Sequence, residues 1–149
     1  MDAQQMAQAC ADAMWAEDRA SQGLGMVVSD IAPGVATLTM SVREDMVNGH
    51  GICHGGFIFT LADSAFAFSC NSENFNTVAA GARVEFLAPG RLGDELTATA
   101  RQVSQGGRTG VYDVVVSNQE GRTLALFRGN SHRIGGALID GKSGGAVND

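Results

Sequence analysis

From Phe57 to Cys70 the chain runs through Ala, Leu and Phe without a proline or glycine, and it carries a single charged residue, Asp63. The lack of helix breakers favours a helix. A helix apolar on nearly every face has to be packed on several sides rather than laid on a surface. That segment restricts the fold, because something must wrap around it. At 149 residues the chain is the size of one compact domain, expected over 1–149, so the wrapping has to come from its own remaining elements.

Those elements read as strands. Leu24–Ser29 and Val35–Val42 flank the turn Pro33-Gly34, and in the second run Ala36, Leu38, Met40 and Val42 alternate with Val35, Thr37, Thr39 and Ser41. That is the period-two pattern of a half-buried strand, and the pair reads as a hairpin. Four more candidates, Ala82–Leu87, Glu95–Val103, Gly110–Ser117 and Thr123–His132, are separated by Pro89-Gly90, Gly106-Gly107 and Glu120-Gly121 and are expected to form a meander. Met6, Ala9, Cys10, Ala13 and Met14 recur at three- and four-residue spacing, which predicts a short amphipathic helix within residues 1–22, ended by Gly23 and Gly25. Residues 135–149 hold five glycines and almost no large apolar side chain, and are expected to be a flexible tail. The sum is an α+β fold, a curved antiparallel sheet around one long central helix. Such a sheet has two edges to protect, and association through an edge or a face would protect them.

Charge narrows the partners. Ten Lys and Arg against sixteen Asp and Glu leave a formal charge of −6 with no basic stripe, so the phosphate neutralisation that nucleic-acid binding needs is missing and no nucleic-acid partner is expected. Gly55–Cys70 falls short of the roughly 20 apolar residues of a membrane span and is interrupted by Asp63, so no membrane partner is expected either. Met1–Ala20 carries Asp2, Asp12, Glu17 and Asp18 and lacks the positive start and apolar run of an export signal. Cys10, Cys53 and Cys70 cannot all pair within one chain. A reducing cytoplasm is the expected compartment.

Asp63 is the residue most suggestive of chemistry. A carboxylate amid so many apolar neighbours is costly unless a partner or a cleft compensates it, and partial desolvation would strengthen it as a base. It reads equally as a capped structural Asp or as one on an exposed helical stripe. Before the helix comes the irregular, glycine-rich run Asn48-Gly-His-Gly-Ile-Cys-His54-Gly55-Gly56. Gly55 and Gly56 put unobstructed backbone N–H groups at the positive end of the helix dipole, which makes either an oxyanion hole or merely a flexible entry. Asn48 reads as a turn residue whose amide could also donate to a carbonyl. His50, Cys53 and His54, taken with Cys70 or Asp63, fit no zinc spacing, and no metal site is expected. Cys53 beside His54 is a poor nucleophilic pair, since neighbours on an extended chain point apart.

The stretch from Asn48 to Asp63 closely resembles the signature of hotdog-fold acyl-CoA thioesterases of the PaaI group. The likeness continues through Arg83-Val-Glu-Phe-Leu-Ala-Pro89-Gly90, Gly107-Arg-Thr-Gly-Val-Tyr112 and Ala125-Leu-Phe-Arg-Gly129. The resemblance implies the hotdog fold, homodimers joined through a continuous sheet, and homotetramers of two such dimers. It implies hydrolysis of aryl-acyl-CoA, phenylacetyl-CoA or a ring-hydroxylated derivative, with no cofactor beyond the CoA of the substrate. By the same resemblance Asp63 activates water or attacks the thioester, the Gly55 N–H holds the carbonyl oxygen, and Asn48 and His54 assist at the carbonyl or leaving group. Gly56 is expected beside Gly55 on the substrate, Thr77 or Ser64 in place of the water-orienting hydroxyl that Ala79-Ala80-Gly81-Ala82 lacks, and Arg108 on the CoA phosphates.

Gly55 and Asp63 lie eight positions apart, roughly 12 Å along a helix that rises about 1.5 Å per residue. They do not easily reach one carbonyl, so active sites shared across a two-fold axis are expected. Two other classes remain open: a non-catalytic acyl-CoA binding or regulatory module, and a hotdog acyl-thioester dehydratase, for which a histidine in the loop is less natural.

Overall fold

The computed structural model describes residues 1–140. Helices α1 (Ala3–Glu17) and α2 (Arg19–Gly23) precede β1 (Val27–Ala32), β2 (Val35–Ser41), a 3-10 turn at Glu44–Met46 and the helix α3 (Gly55–Cys70). Strands β3 (Thr77–Phe86), β4 (Glu95–Gly106), β5 (Thr109–Ser117) and β6 (Thr123–Arg133) follow. The strands form one antiparallel sheet in the order β1-β2-β4-β5-β6-β3, and α3 lies in its concave face. This is the α+β architecture expected of the hotdog fold.

The packing follows from the alternation. Ala36, Leu38 and Met40 on β2, and Leu96, Ala98 and Ala100 on β4, point inward and are buried, as are Leu61, Ala65 and Phe66 of α3. Leu61 and Phe66 are 1 % exposed or less, and each such burial stabilises the fold by about 1.5–3 kcal/mol. Close approach needs a small residue beneath the helix: a Cβ on Gly129 of β6 would sit 2.7 Å from the Phe66 ring.

The hairpin about Pro33-Gly34 forms, with Ala32 opposite Val35, but the four later strands are not a simple meander. Only β4, β5 and β6 follow one another in space; β3 pairs with β6 and β4 returns to β2. Alternation is a local signal, whereas pairing order depends on where α3 delivers the chain, which is the far edge of the sheet. The N-terminal helix is also divided. Asp18 ends α1 by donating its N–H to Trp15 O and starts α2 by accepting from Ser21 N–H and Ser21 Oγ.

Residues 135–140 are tied to the turn after α3. Asn74 Oδ1 accepts the N–H groups of Leu138 and Ile139 at 2.9 and 3.0 Å, and Asn76 N–H donates to Gly136 O. The remainder of the expected tail, 141–149, lies outside the described residues. Strand β3 is an edge whose residues are exposed or half-exposed on both faces, Val78 and Phe86 among them.

Candidate active site at the start of the central helix

The loop that feeds α3 is built around Asn48. Its Oδ1 accepts the N–H groups of His50 and Ile52 at 2.9 and 3.1 Å, and its own N–H donates to Ile52 O. Gly51 closes the turn at φ +72°, a left-handed conformation that costs glycine little. Cys53 N–H to Gly90 O and His54 N–H to Met46 O, both 2.8 Å, fasten the loop to its surroundings. The Asn48 oxygen is thus engaged by backbone. Its amide nitrogen donates to no described residue and remains the free group of an exposed side chain.

Helix α3 opens with no side-chain cap from His54. The Phe57 N–H already turns back to His54 O at 3.1 Å, whereas the N–H groups of Gly55 and Gly56 meet no acceptor among the described residues. Two orphan donors at the positive end of a helix favour an anion or a polarised oxygen, by about 0.3–1 kcal/mol when exposed and up to ~2 when partly buried. The glycine at 55 is required by its neighbour as well, since a Cβ there would lie 2.8 Å from Phe86 Cζ. Phe86 is 53 % exposed at the end of the edge strand, and its ring tip stands against Gly55 as an apolar wall beside the donors.

Asp63 sits about two turns further along α3, half-buried, and accepts no hydrogen bond from a described residue. Burial pushes its carboxyl above the ordinary aspartate value. An unpartnered, partly desolvated carboxylate is a stronger base than a solvated one. The cysteines are poor competitors as nucleophiles. Burial pushes the Cys70 thiol up to about 12, with the Asp63 charge adding to the effect, and burial also raises Cys53; a thiol rather than a thiolate stands at both positions near neutral pH.

Within one chain, therefore, Asn48, His54, Gly55 and Gly56 gather at one end of α3, and the other expected residues lie elsewhere. Ser64 is buried with its Oγ 2.8 Å from Ser21 Oγ, which in turn donates to Asp18 Oδ2, so its hydroxyl fastens α2 to α3. Arg108 lies in the β4–β5 turn and donates from Nη1 to Arg133 O at 3.3 Å. Arg133 pairs with Thr77, which puts Arg108 at the end of the sheet opposite Phe86 and Gly55. Phe86 was not singled out by sequence reasoning; the available signal was Phe86-Leu87, two adjacent large apolar residues ending an alternating strand. Among the described residues no group of three or more His, Cys, Asp or Glu could hold a metal ion, and no helix is long and apolar enough to cross a membrane.

The model of the thioesterase superfamily matches residues 50–125, which take in the loop before α3, the helix itself and strands β3 to β5. The chain belongs to this superfamily and is an acyl-CoA thioesterase, a thioester hydrolase. It is 49% identical over 128 residues, 86% of this chain and 91% of the relative, to the acyl-coenzyme A thioesterase PaaI of Escherichia coli. The structure of the E. coli PaaI protein, from the phenylacetic acid degradation operon, matches with a TM-score of 0.90 at 47% identity, covering 91% of this chain and 99% of that one. A Streptococcus mutans protein solved bound to acetyl CoA matches at 0.72 and 30% identity, over 75% of this chain and 90% of that one.

Proposed function

We propose that the chain hydrolyses aryl-acyl-CoA thioesters, phenylacetyl-CoA or its ring-hydroxylated derivatives, to the free acid and CoA. The observation that carries the reading is the pair of unengaged N–H groups at Gly55 and Gly56 beside the Phe86 ring, a place for a polarised carbonyl with a flat acyl group against it. The preference for an aryl group rests on the likeness to E. coli PaaI and on that aromatic wall. No cofactor enters, and three free cysteines suit a reducing cytoplasm.

The catalytic unit is a homodimer. Among the described residues, strand β3 has no partner on the side away from β6. Pairing it antiparallel with its copy about a two-fold axis would continue the sheet and set the Thr77 end of one strand beside the Phe86 end of the other. That arrangement brings the half of one protomer that holds Arg108 and Arg133 toward the partner's helix start, and offers each Gly55 a carboxylate from the other chain. Two such dimers would make the tetramer implied by the resemblance.

In the reaction the thioester oxygen accepts the Gly55 N–H, with Gly56 alongside, while Asp63 of the other chain takes a proton from water aimed at the carbonyl carbon. Hydroxide adds to the carbon and the negative charge moves onto the oxygen held at the helix start. When the intermediate collapses, the C–S bond breaks, and the CoA thiolate takes up the proton that Asp63 carries. The Asn48 amide and His54 flank the carbonyl and the leaving sulfur. General-base hydrolysis is taken in preference to attack by Asp63 itself; the carboxyl accepts no hydrogen bond from a described residue, and burial raises its proton affinity.

Thiol release from phenylacetyl-CoA and hydroxyphenylacetyl-CoA, against a short alkyl-CoA, tests the reading in wild type and Asp63→Asn. Aryl substrates are expected to react fastest, and the variant to lose on the order of 10³-fold in kcat with assembly intact. Full activity in Asp63→Asn would remove the mechanism. Tight binding of CoA esters without thiol release would favour the binding module instead.

A further inference from the structure

The sheet has a second edge, β1, at the opposite side from β3. Helix α1 packs against it, and between the two runs an open hollow of about 400 Å³, a size that admits a small organic molecule. Spacing on α1 explains one wall: Gln4, Gln8, Asp12 and Trp15 recur at four- and three-residue steps and so share a face. Ser29 and Asp30 line the hollow from β1, and the buried side chains of Met26 and Ile31 add apolar surface. The half-buried Trp15 ring has its centroid 6.4 Å from that of Phe68 in α3. No Lys, Arg or His is among the lining residues.

The hydrogen bonds around the hollow decide which ligand it suits. Gln4 Nε2 donates to Ile31 O at 2.6 Å, Gln8 Nε2 to Asp12 Oδ1 at 2.9 Å and Ser29 Oγ to Thr37 O at 3.2 Å. These side chains turn donors toward the chain itself and leave acceptors over. Both oxygens of Asp30, Oδ2 of Asp12 and the amide oxygens of Gln4 and Gln8 accept nothing from a described residue. We infer that the hollow binds an alkylammonium ligand, an α,ω-diamine or longer polyamine. One carboxylate from α1 and one from β1 meet its charged nitrogens, and Trp15 and the apolar lining meet its methylenes. A primary ammonium carries donors only, which matches the unused acceptors, and the face of an indole attracts a cation. Other occupants lack such a match. A phosphate or carboxylate would meet two negative charges and no positive one. A strand added to β1 would have to displace Gln4 from Ile31 O and pass the register shift between Val28 and Asp30. The inference does not depend on the acyl-CoA reading above.

Trp15 is the one tryptophan of the chain, so its emission reports on the hollow directly. Titration of the full chain with putrescine or spermidine is expected to shift that emission saturably, at one ligand per chain. The uncharged 1,4-butanediol, with the same carbon chain as putrescine, is expected to give no shift. Asp30→Asn and Asp12→Asn should each weaken spermidine binding by about three- to fivefold, the scale of one exposed ion pair, and added salt should weaken it in wild type. Glu120→Gln removes the same charge in the β5–β6 turn and should leave the affinity unchanged. All three acids are exposed, so the variants keep the fold, and calorimetry reads the same affinities without the indole. The site is overturned if no saturable binding is seen, or if butanediol binds as well as putrescine. Equal losses in Glu120→Gln and Asp30→Asn also overturn it, since the attraction would then belong to the net charge of −6. A change in sedimentation in Asp30→Asn, with no amine bound by wild type, would make the hollow a contact between copies and overturn it as well.

Discussion

The two ends of α3 are finished in opposite ways. At the C-terminal end Asn71 Nδ2 donates to Ala67 O at 2.9 Å and to Thr77 O at 3.1 Å, while its Oδ1 accepts Thr77 N–H at 2.9 Å. Ser72 Oγ donates to Ser69 O and accepts Gly34 N–H, and Ser69 Oγ donates to Gly34 O, all within 2.8 Å. All three side chains are buried, and together they lock the helix end to the β1–β2 turn and to the start of β3. The N-terminal end has no side-chain cap, and its first donors belong to two glycines. One helix therefore carries a closed end that stabilises the fold and an open end whose unsatisfied groups are available to a ligand. A capping side chain at position 54 would have quenched one of those donors.

Of changes at the two ends, the larger effect is expected where the open end is closed. Gly55→Ala puts a methyl group where Phe86 Cζ stands 2.8 Å away, so the ring or the helix start must move, and kcat for thiol release is expected to fall by about 10²–10³-fold, as for loss of one oxyanion donor. Recovery of a large part of that loss in the double variant Gly55→Ala, Phe86→Ala would show that the displaced ring is the cause. Retention of wild-type kcat in Gly55→Ala would mean that the N–H at 55 does not hold the transition-state oxygen.

Breaking the closed end should do the reverse. Asn71→Ala leaves Thr77 N–H and the carbonyls of Ala67 and Thr77 without their side-chain partner in a buried setting, at a cost of about 2 kcal/mol in urea unfolding. The turnover of the folded fraction is expected to stay at the wild-type value. A fall in kcat without a fall in stability would erase the distinction between the two ends.

Much of this was legible in the sequence, and what was not has a common cause. The unbroken apolar run to Cys70 announced the central helix, the alternation in Val35–Val42 announced β2, and Gly55, Gly56 and Asp63 stood out because their chemistry is conspicuous in its own neighbourhood. The structure adds what depends on contacts between distant segments. Ser64 looked available for substrate until Ser21, 43 positions away, is seen on its hydroxyl. Arg108 looked well placed until the sheet carries it to the far end from Gly55 within the chain. β3 begins at Thr77 rather than Ala82, because Thr77-Val78-Ala79-Ala80 has no clean alternation and the register shifts between Ala79 and Gly81. Arg83 of β3 faces Arg128 of β6, like charge against like, a property of register that no local pattern contains.

Asp63, between the two ends, gives the smallest effect on stability and the finest test. Its folded-state pKa is raised by burial, so the folded chain holds the proton more tightly than the unfolded one does. By linkage, the stabilisation from the protonated carboxyl is fully present below the unfolded value and is lost as pH rises through the raised folded value. The ionised form of Asp63 is therefore a cost to the fold. Asp63→Asn should melt no lower than wild type at pH 7, and its advantage should shrink as the pH falls through the raised pKa. The acid limb of kcat/KM in wild type should lie above the ordinary aspartate range, where the base begins to be protonated. A melting temperature for Asp63→Asn clearly below wild type at pH 7 would show that the carboxylate has a stabilising partner in the assembled protein, and that the middle of α3 belongs with its closed end.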